Sequence, residues 1–206
     1  EYPACQNNLR RAAGRCGANV VYAEIPFPVG PAEEVIDTII ARVSPRPRLA
    51  MVSHVTSSTG LVLPIAGLVR RLEQRGVRTL VDGAHAPGMV SLDLSSLGAS
   101  YYTANCHKWI CSPKGSAFLW VKRELREGLR PVVLSNHAEK PKAHRHQFLT
   151  EFEYVGTQDS TAFLAIPAAI DFMASLCHDG WTEIRARNHA KCIAGRDAIC
   201  GALGIR

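Results

Sequence analysis

The stretch from residue 79 to residue 88 reads Thr79-Leu80-Val81-Asp82-Gly83-Ala84-His85-Ala86-Pro87-Gly88. It opens with a short apolar run that is typical of a buried strand, and this run ends at a carboxylate. A helical pattern precedes it, opened by Pro64 and ended by Gly76, as expected of a helix start and stop. A buried strand that directly follows a helix is typical of βαβ units, so this stretch favours an α/β fold.

The same alternation continues on both sides of this stretch. Strands are predicted at residues 18–23, 48–53, 100–104 and 116–121, and helices at residues 4–15, 31–40, 160–176 and 181–203. Strands that alternate with helices predict a mainly parallel sheet flanked by helices. The polar, basic segment 135–147 is expected to be a long mobile loop.

Length and composition are those of a soluble domain with one sizeable core. The chain has 206 residues, of which 47% are hydrophobic and 20% are charged. No apolar run is long enough to cross a bilayer and no secretory signal is visible, so no membrane association is expected. Seven cysteines without regular spacing argue against a disulfide framework and favour a reducing, cytoplasmic location.

The chain is basic, with a formal net charge of +6. An excess of basic residues can indicate that the partner is a nucleic acid, an anionic cofactor or an anionic substrate. The densest basic group contains Lys140, Lys142 and Arg145, with His144 and His146 interleaved. Because no aromatic stripe or RNA-binding signature accompanies it, a solvated loop is favoured over nucleic-acid binding.

Polar residues follow several of the predicted strands. In parallel sheets, ligands bind beyond the carboxyl ends of the strands. Asp82 and His85 follow one strand, and Lys108 follows another. A carboxylate at the end of a buried strand needs a cationic partner. A lysine beside Trp109 and Ile110 can be partly desolvated, which frees the amine for Schiff-base chemistry.

An aspartate, a histidine and a lysine at strand ends are what a pyridoxal phosphate site requires. The lysine amine forms a Schiff base with the cofactor aldehyde, and the aspartate keeps the pyridine nitrogen protonated. Residue types and spacing alone leave the interpretation open, since Lys108 can also be read as a surface lysine and Asp82 as a helix cap.

Simpler roles are weighed for the neighbouring residues. His54 either reaches the site or fills space at a strand end, and Asp93 is expected to cap a helix. A zinc site is disfavoured because the spacing of the candidate Cys and His ligands is not that of a zinc finger or zinc ribbon. Lys108 would also place a cation beside the metal. The zinc ligands would have been Cys106, His107, Cys111 and His85.

Two motifs resemble those of class V aminotransferase-fold enzymes. They are residues 81–88 and Tyr101-Tyr102-Thr103-Ala104-Asn105-Cys106-His107-Lys108-Trp109, and the interval from Asp82 to Lys108 also suits that family. Within the family, the chain is most similar to the isopenicillin N epimerase-like branch. The segments that support the branch are residues 105–109, 112–115, 59–65, 153–159 and 167–170.

The resemblance implies a fold-type I pyridoxal phosphate enzyme. Residues 1–206 would be the central portion of its large domain, without the N-terminal part and the C-terminal small domain. The partners implied are pyridoxal phosphate, a small amino-acid-type substrate and a second subunit in a homodimer with a shared active site. The activity implied is epimerase-like or β-lyase-like chemistry at a Cα, with cysteine desulfurase or desulfhydrase as the alternative. A non-catalytic relative that serves as a binding protein is disfavoured, since Asp82, His85, His107 and Lys108 are retained together.

The resemblance also assigns a role to each residue of the site. Lys108 would be the Schiff-base lysine, Asp82 the partner of the pyridine nitrogen, and His85 the side chain against the phenolic oxygen. The remaining cofactor contacts would be Asn105 and His107 at the phosphate, Ser57 at the ring oxygen, and Gly156 and Thr157 at the neighbouring subunit's phosphate. The phosphate-cradling loop and the ring-stacking residue are expected before Glu1, and the arginine for the substrate carboxylate after Arg206.

Overall fold

A four-stranded sheet forms the centre of the computed structural model, which describes residues 1–139 and 143–205. The strands are β1 (Leu49–Ser53), β2 (Arg78–Asp82), β3 (Tyr101–Asn105) and β4 (Ala117–Val121). They lie in the order β1-β2-β3-β4, with β1, β2 and β3 parallel and β4 antiparallel to β3. The register places Ser53 beside Asp82 and Asp82 beside Thr103, so the carboxyl ends of the parallel strands meet at one edge.

Eight α-helices accompany the sheet in the described residues. They are α1 (Pro3–Arg15), α2 (Ala32–Ala41), α3 (Ile65–Glu73), α4 (Leu94–Leu97), α5 (Gln147–Glu153), α6 (Thr161–Leu164), α7 (Ile166–Ser175) and α8 (Gly180–Leu203). The expected helix cap at Asp93 is confirmed, because its side chain accepts hydrogen bonds from the backbone N–H groups of Ser95 and Ser96 at the start of α4.

The core lies where α2 and α3 cover the parallel strands. Apolar residues of α3 recur at helical spacing and are buried, namely Ile65, Leu68, Val69 and Leu72. They pack with residues of α2 and with Val52, Val81 and Tyr102 of the sheet. Burying one such side chain contributes about 1.5–3 kcal/mol, so this cluster holds the strand ends in a fixed arrangement.

Two of the predicted elements differ from the structure. The strand predicted at residues 18–23 is wrong: this segment is irregular, with Val21 52% and Tyr22 43% exposed. A strand exists only through hydrogen bonds to a neighbouring strand, and none of the strands in the described residues pairs with this segment. The single helix predicted at residues 160–176 is interrupted at Ala165, and Pro167 lies in the first turn of α7.

The segment predicted as one long loop, residues 135–147, contains a short 3-10 helix at Asn136–Glu139 and is followed by a helix that the pattern did not indicate. Helix α5 begins at Gln147 and is anchored by the buried side chain of Glu151. That carboxylate accepts hydrogen bonds from Arg130 Nε at 2.9 Å and from Gln147 Nε2 at 2.6 Å. A polar anchor of this kind is invisible in the hydrophobic pattern. Lys140 and Lys142 of the basic group, like Arg206, lie outside the described residues.

The C-terminal helices are mostly exposed. Ile184 is the one buried residue of α8. Within the described residues, no single helix is both long enough and apolar enough to cross a membrane. The helical segments 161–175 and 180–203 reach the necessary length and apolar composition only when they are taken together. The chain bends by 70° between these two segments.

Candidate active site

A cavity of about 310 Å³ opens at the carboxyl ends of β1, β2 and β3. Five of the residues predicted from sequence to form the site line this cavity: Ser57, Asp82, His85, Asn105 and Lys108. Ser57 follows β1, Asp82 and His85 come from the end of β2, and Asn105 and Lys108 come from the end of β3. The placement agrees with the general position of ligand sites in parallel sheets.

Helix α1 lies over the same edge of the sheet. The Glu1 carboxylate accepts hydrogen bonds from the Ser53 N–H at 2.5 Å and the Ser53 hydroxyl at 3.0 Å. The thiol of Cys5 lies 3.6 Å from Asp82 Oδ2, and burial raises the pKa of that thiol. Tyr2 and Cys5 therefore line the cavity, and sequence reasoning missed both. No motif marks them, and only the path of the chain brings α1 to the strand ends.

The carboxylate of Asp82 is held in a defined orientation. Its Oδ1 accepts a hydrogen bond from the Ala84 N–H at 2.9 Å. The next residue, Gly83, donates its N–H to the Thr103 carbonyl at 2.8 Å, which ties the turn to β3. The turn thus fixes the orientation of Asp82, which lines the same cavity as Lys108.

Lys108, His85 and Trp109 form a chain of contacts. Lys108 Nζ lies 3.1 Å from His85 Nε2, and Trp109 Nε1 donates a hydrogen bond to His85 Nδ1 at 3.2 Å. Burial and the positive charge of Lys108 lower the pKa of His85, and Asp82 opposes this shift only in part. The imidazole beside the amine is therefore neutral at neutral pH.

Three residues predicted for the site do not line this cavity. His107 Nδ1 lies 3.0 Å from the Ser116 carbonyl, which can only accept, so this nitrogen carries the hydrogen. Gly156, with a φ of +132°, and Thr157 lie in the turn between α5 and α6, where Thr157 is exposed. Their predicted contacts to a phosphate stay predictions.

His54 fills space beside the site and does not line the cavity. Its Nδ1 lies 2.9 Å from the hydroxyl of Tyr102, which is fully buried in β3. Burial lowers the pKa of His54 and raises the pKa of Tyr102. Of the two roles considered for His54, the structure supports packing at the strand end.

The residues considered for zinc do not form a ligand set. Across residues 1–139 and 143–205, no three His, Cys, Asp or Glu side chains are placed to hold a metal ion. Cys106 is buried and burial raises its pKa, whereas Cys111 is exposed. Cys106, which directly follows β3, is a packed thiol.

Parallel strands that present a lysine, an aspartate and a histidine to one cavity define an α/β domain with a ligand site at its strand ends. The chain belongs to the class V aminotransferase family, whose model, described as Aminotransferase class-V, matches residues 1–199. The family recognised in the sequence is therefore confirmed.

Curated relatives place the chain within that family. It is 39% identical to the isopenicillin N epimerase of Amycolatopsis lactamdurans, over 100% of this chain and 53% of the relative. It is 33% identical to the putative L-cysteine desulfhydrase 1 of Oryza sativa subsp. japonica, over 98% of this chain and 42% of the relative. The similarity to the epimerase branch is thus confirmed. The chain spans about half the length of the curated relatives that it matches.

Solved structures confirm the predicted fold class. The cystine C-S lyase C-DES, in complex with its product cysteine persulfide, matches 84% of this chain and 47% of its own, with a TM-score of 0.72 and 25% identity. A variant of the same lyase, with glycine covalently linked to its pyridoxal phosphate cofactor, matches with a TM-score of 0.69 at 25% identity. That match covers 84% of this chain and 46% of the variant.

Proposed function

We propose that the full-length protein is a pyridoxal phosphate enzyme that acts at the Cα of an amino acid or amino-acid derivative. The observation that carries the proposal is the convergence of Lys108 and Asp82 on one cavity, with His85 in contact with the amine. Residues 1–206 would form the central portion of the large domain, since the relatives are about twice as long as the matched region.

The side chains around the cavity fit this cofactor. The Asp82 carboxylate would pair with the pyridine nitrogen, and the Lys108 amine would join the aldehyde. His85 Nε2 faces the amine at 3.1 Å, so it would lie beside the phenolic oxygen next to the aldehyde. Asn105 and Ser57 add polar groups to the lining. Once bound, pyridoxal phosphate supplies a carbonyl that joins amines and a protonated ring that withdraws electrons from the substrate's Cα.

We propose Tyr2 as the residue that stacks on the cofactor ring. This differs from the resemblance, which implies a stacking residue before Glu1. Its aromatic side chain belongs to the cavity lining on the α1 side, whereas Asp82 approaches from the sheet. An aromatic ring there can stack on a planar cofactor without blocking the carboxylate.

Lys108 is also the group we assign to proton transfer. Lys108 lines the cavity, and its Nζ lies 3.1 Å from Nε2 of the neutral imidazole of His85. An amine so placed can take a proton from a substrate Cα and return it. Delivery of a proton to the opposite face of Cα by a second group would give epimerisation, whereas loss of a β-substituent would give a lyase outcome.

A homodimer with a shared site is part of the proposal. Support comes from Gly156 and Thr157, which the family assigns to the neighbouring subunit's phosphate and which lie outside this chain's own cavity, on an exposed turn. A cytoplasmic location is also proposed, and the seven free thiols support it. Cell fractionation of the native protein tests that location.

The spectrum of the full-length protein with pyridoxal phosphate tests the cofactor assignment. We expect a band at about 410–430 nm from cofactor linked to Lys108, and its loss in Lys108→Ala. The control is Lys191→Ala, which changes an exposed lysine of α8 and should keep the band. A band that persists in Lys108→Ala would refute the role of this lysine, and no band in any variant would favour a non-catalytic binding protein.

Product analysis separates the two reactions that the relatives suggest. Racemisation or epimerisation of added amino acids without sulfide supports the epimerase reading, in line with the 39% identity to an isopenicillin N epimerase. Sulfide release from cysteine supports the second candidate, in line with 33% identity to a putative cysteine desulfhydrase. Of these two reactions we favour the epimerase-like one, because the isopenicillin N epimerase is the more similar relative.

A further inference from the structure

We propose that Glu1 is a positioning residue whose carboxylate anchors the start of α1 to the end of β1 and so holds Tyr2 and Cys5 over the candidate cofactor cavity. The inference deepens the proposed function and rests on it, because the position of Tyr2 matters only where a planar cofactor ring lies beside it. The Glu1 side chain acts through other residues, since Tyr2 and Cys5 line the cavity and Glu1 does not.

The backbone N–H of Ser53 needs an acceptor that the described sheet does not supply. Ser53 is buried at the end of β1, and the next residue, His54, donates its N–H to the Asp82 carbonyl of β2 at 2.8 Å. Since N–H groups alternate in direction along a strand, the Ser53 N–H points away from β2, where none of the described strands pairs with β1. The Glu1 carboxylate takes that place, accepting from the Ser53 N–H at 2.5 Å and from the Ser53 hydroxyl at 3.0 Å. A buried N–H without a partner is costly, so this contact is a strong anchor.

Helix α1 depends on this end for its position over the sheet. No residue of α1 is buried, so core packing contributes little to holding the helix in place. In residues 1–139 and 143–205, the hydrogen bonds that join Glu1 and α1 to the sheet all lie at the start of the helix. They are the two bonds from Ser53 to Glu1 and the 3.6 Å contact of the Cys5 thiol with Asp82 Oδ2. Loss of the Glu1 contact should therefore let the first turn of α1 move away from the strand ends.

Such a movement would displace both side chains that approach the cavity from the α1 side. Tyr2, which we propose to stack on the cofactor ring, directly follows Glu1 and cannot keep its place if the anchor is lost. Cys5 lies in the first turn of α1, and its thiol contacts Asp82, the proposed partner of the pyridine nitrogen. The contact of Glu1 with Ser53 therefore determines how firmly a planar ring would be held between Tyr2 and the strand ends.

The first experiment measures labelling by N-ethylmaleimide in the full-length protein without cofactor, with each cysteine followed separately by peptide mass spectrometry. In the wild type we expect slow labelling of Cys5, because burial and the neighbouring charge of Asp82 raise the pKa of its thiol. Cys16 follows the other end of α1 and is exposed, so it should label fast and serve as an internal control. Glu1→Ala should raise the Cys5 rate by about tenfold or more, as expected for the loss of hydrogen bonds to a charged group, and leave the Cys16 rate unchanged.

Three further variants separate the anchor from other effects of the substitution. Glu1→Gln keeps an oxygen that can accept from the Ser53 N–H and adds an NH₂ group that can donate to the Ser53 hydroxyl, so its Cys5 rate should stay close to that of the wild type. Ser53→Ala removes only the hydroxyl contact and should raise the Cys5 rate about fivefold. Glu24→Ala removes an exposed carboxylate outside α1 and should change nothing. An unchanged Cys5 rate in folded Glu1→Ala overturns the inference, and if that variant does not fold, an unchanged rate in Ser53→Ala overturns it.

A double-mutant cycle tests whether Glu1 acts through Tyr2. The measured quantity is the rate at which the full-length protein loses its cofactor band on dilution. Glu1→Ala and Tyr2→Leu should each raise this rate by up to about tenfold, the size expected for one lost aromatic stacking contact. The double variant should lose the band no faster than Tyr2→Leu alone, because two substitutions that remove the same contact are not additive. Effects that multiply would show that Glu1 acts independently of Tyr2 and would overturn the inference. If Cys5 responds as expected but the wild type shows no band, the proposed function fails and the anchoring of α1 by Glu1 stands.

Discussion

Gly83 lies directly against the ring of Tyr102, so closely that a Cβ at position 83 would overlap the ring carbons and the hydroxyl. Tyr102 is fully buried and its hydroxyl is bonded to His54, so the ring cannot move aside. The turn that carries Asp82 is therefore pressed onto the core of the sheet, and the core determines where the carboxylate points.

Gly83→Ala should displace this turn. Overpacking against a buried ring costs on the order of 1–3 kcal/mol, and we expect a loss of that size in chemical denaturation together with weaker binding of pyridoxal phosphate. Gly195→Ala is the control, since a Cβ at that helical position meets no atom within 4 Å and alanine favours helix. Wild-type stability in Gly83→Ala would show that the turn is free to shift.

Asp82→Asn should preserve the fold and remove the charge that, in the proposed function, would keep the pyridine nitrogen protonated. An asparagine oxygen can still accept the hydrogen bond from the Ala84 N–H, so the turn should keep its shape. We expect turnover to fall about 10²-fold or more, as for the removal of other fixed charges from active sites, with circular dichroism unchanged. Asp171→Asn, at an exposed position of α7, should have full activity. Near-normal turnover in Asp82→Asn would refute the role of this carboxylate.

Mixed dimers test whether the site is shared between subunits. Thr157→Asp would place a carboxylate against the partner's bound phosphate, and like charges repel, so this homodimer should lose the cofactor band. Co-expression with Lys108→Ala should restore about one quarter of wild-type activity, because half of the dimers are mixed and each of these has one intact site.

The control for the mixed dimers is Gln158→Asp, which adds the same charge at the adjacent exposed position and should leave the band unchanged. If each site were built from one subunit alone, no mixture of Thr157→Asp and Lys108→Ala would recover activity.

His54 should make stability depend on pH. Its ordinary pKa is 6.5, and burial lowers this value in the folded protein. Below pH 6.5 the unfolded chain therefore binds more protons than the native one, so the free energy of unfolding decreases as the pH falls, until native His54 itself is protonated. The slope from this one group is at most about 1.4 kcal/mol per pH unit.

His54→Asn isolates this contribution, because its side-chain oxygen can still accept a hydrogen bond from the Tyr102 hydroxyl but does not titrate. Denaturation midpoints compared between about pH 5 and pH 8 should vary less in His54→Asn than in the wild type. His178→Asn, at a side chain that is 98% exposed, should vary as the wild type does. Equal pH dependence in all three proteins would show that His54 does not titrate differently on folding.

The local hydrophobic pattern was sufficient to predict the helices and strands that bury an apolar face of their own. Strands β1, β2 and β3 and helices α2 and α3 were predicted within a residue or two, because apolar periodicity reports directly which side chains leave water. The pattern failed where stability comes from distant partners. Residues 18–23 have no strand beside them in the described structure, and α5 depends on the contact between Glu151 and Arg130.

The sequence by itself determined the α/β class, the family and the candidate site residues Asp82, His85 and Lys108, because these are encoded in short motifs at strand ends. Tertiary structure alone decided that Tyr2 and Cys5 join the cavity, that His54 bonds Tyr102 instead of lining it, and that Trp109 contacts His85. The physical reason is that contacts between distant segments depend on strand register and close backbone approach, which a linear pattern does not contain.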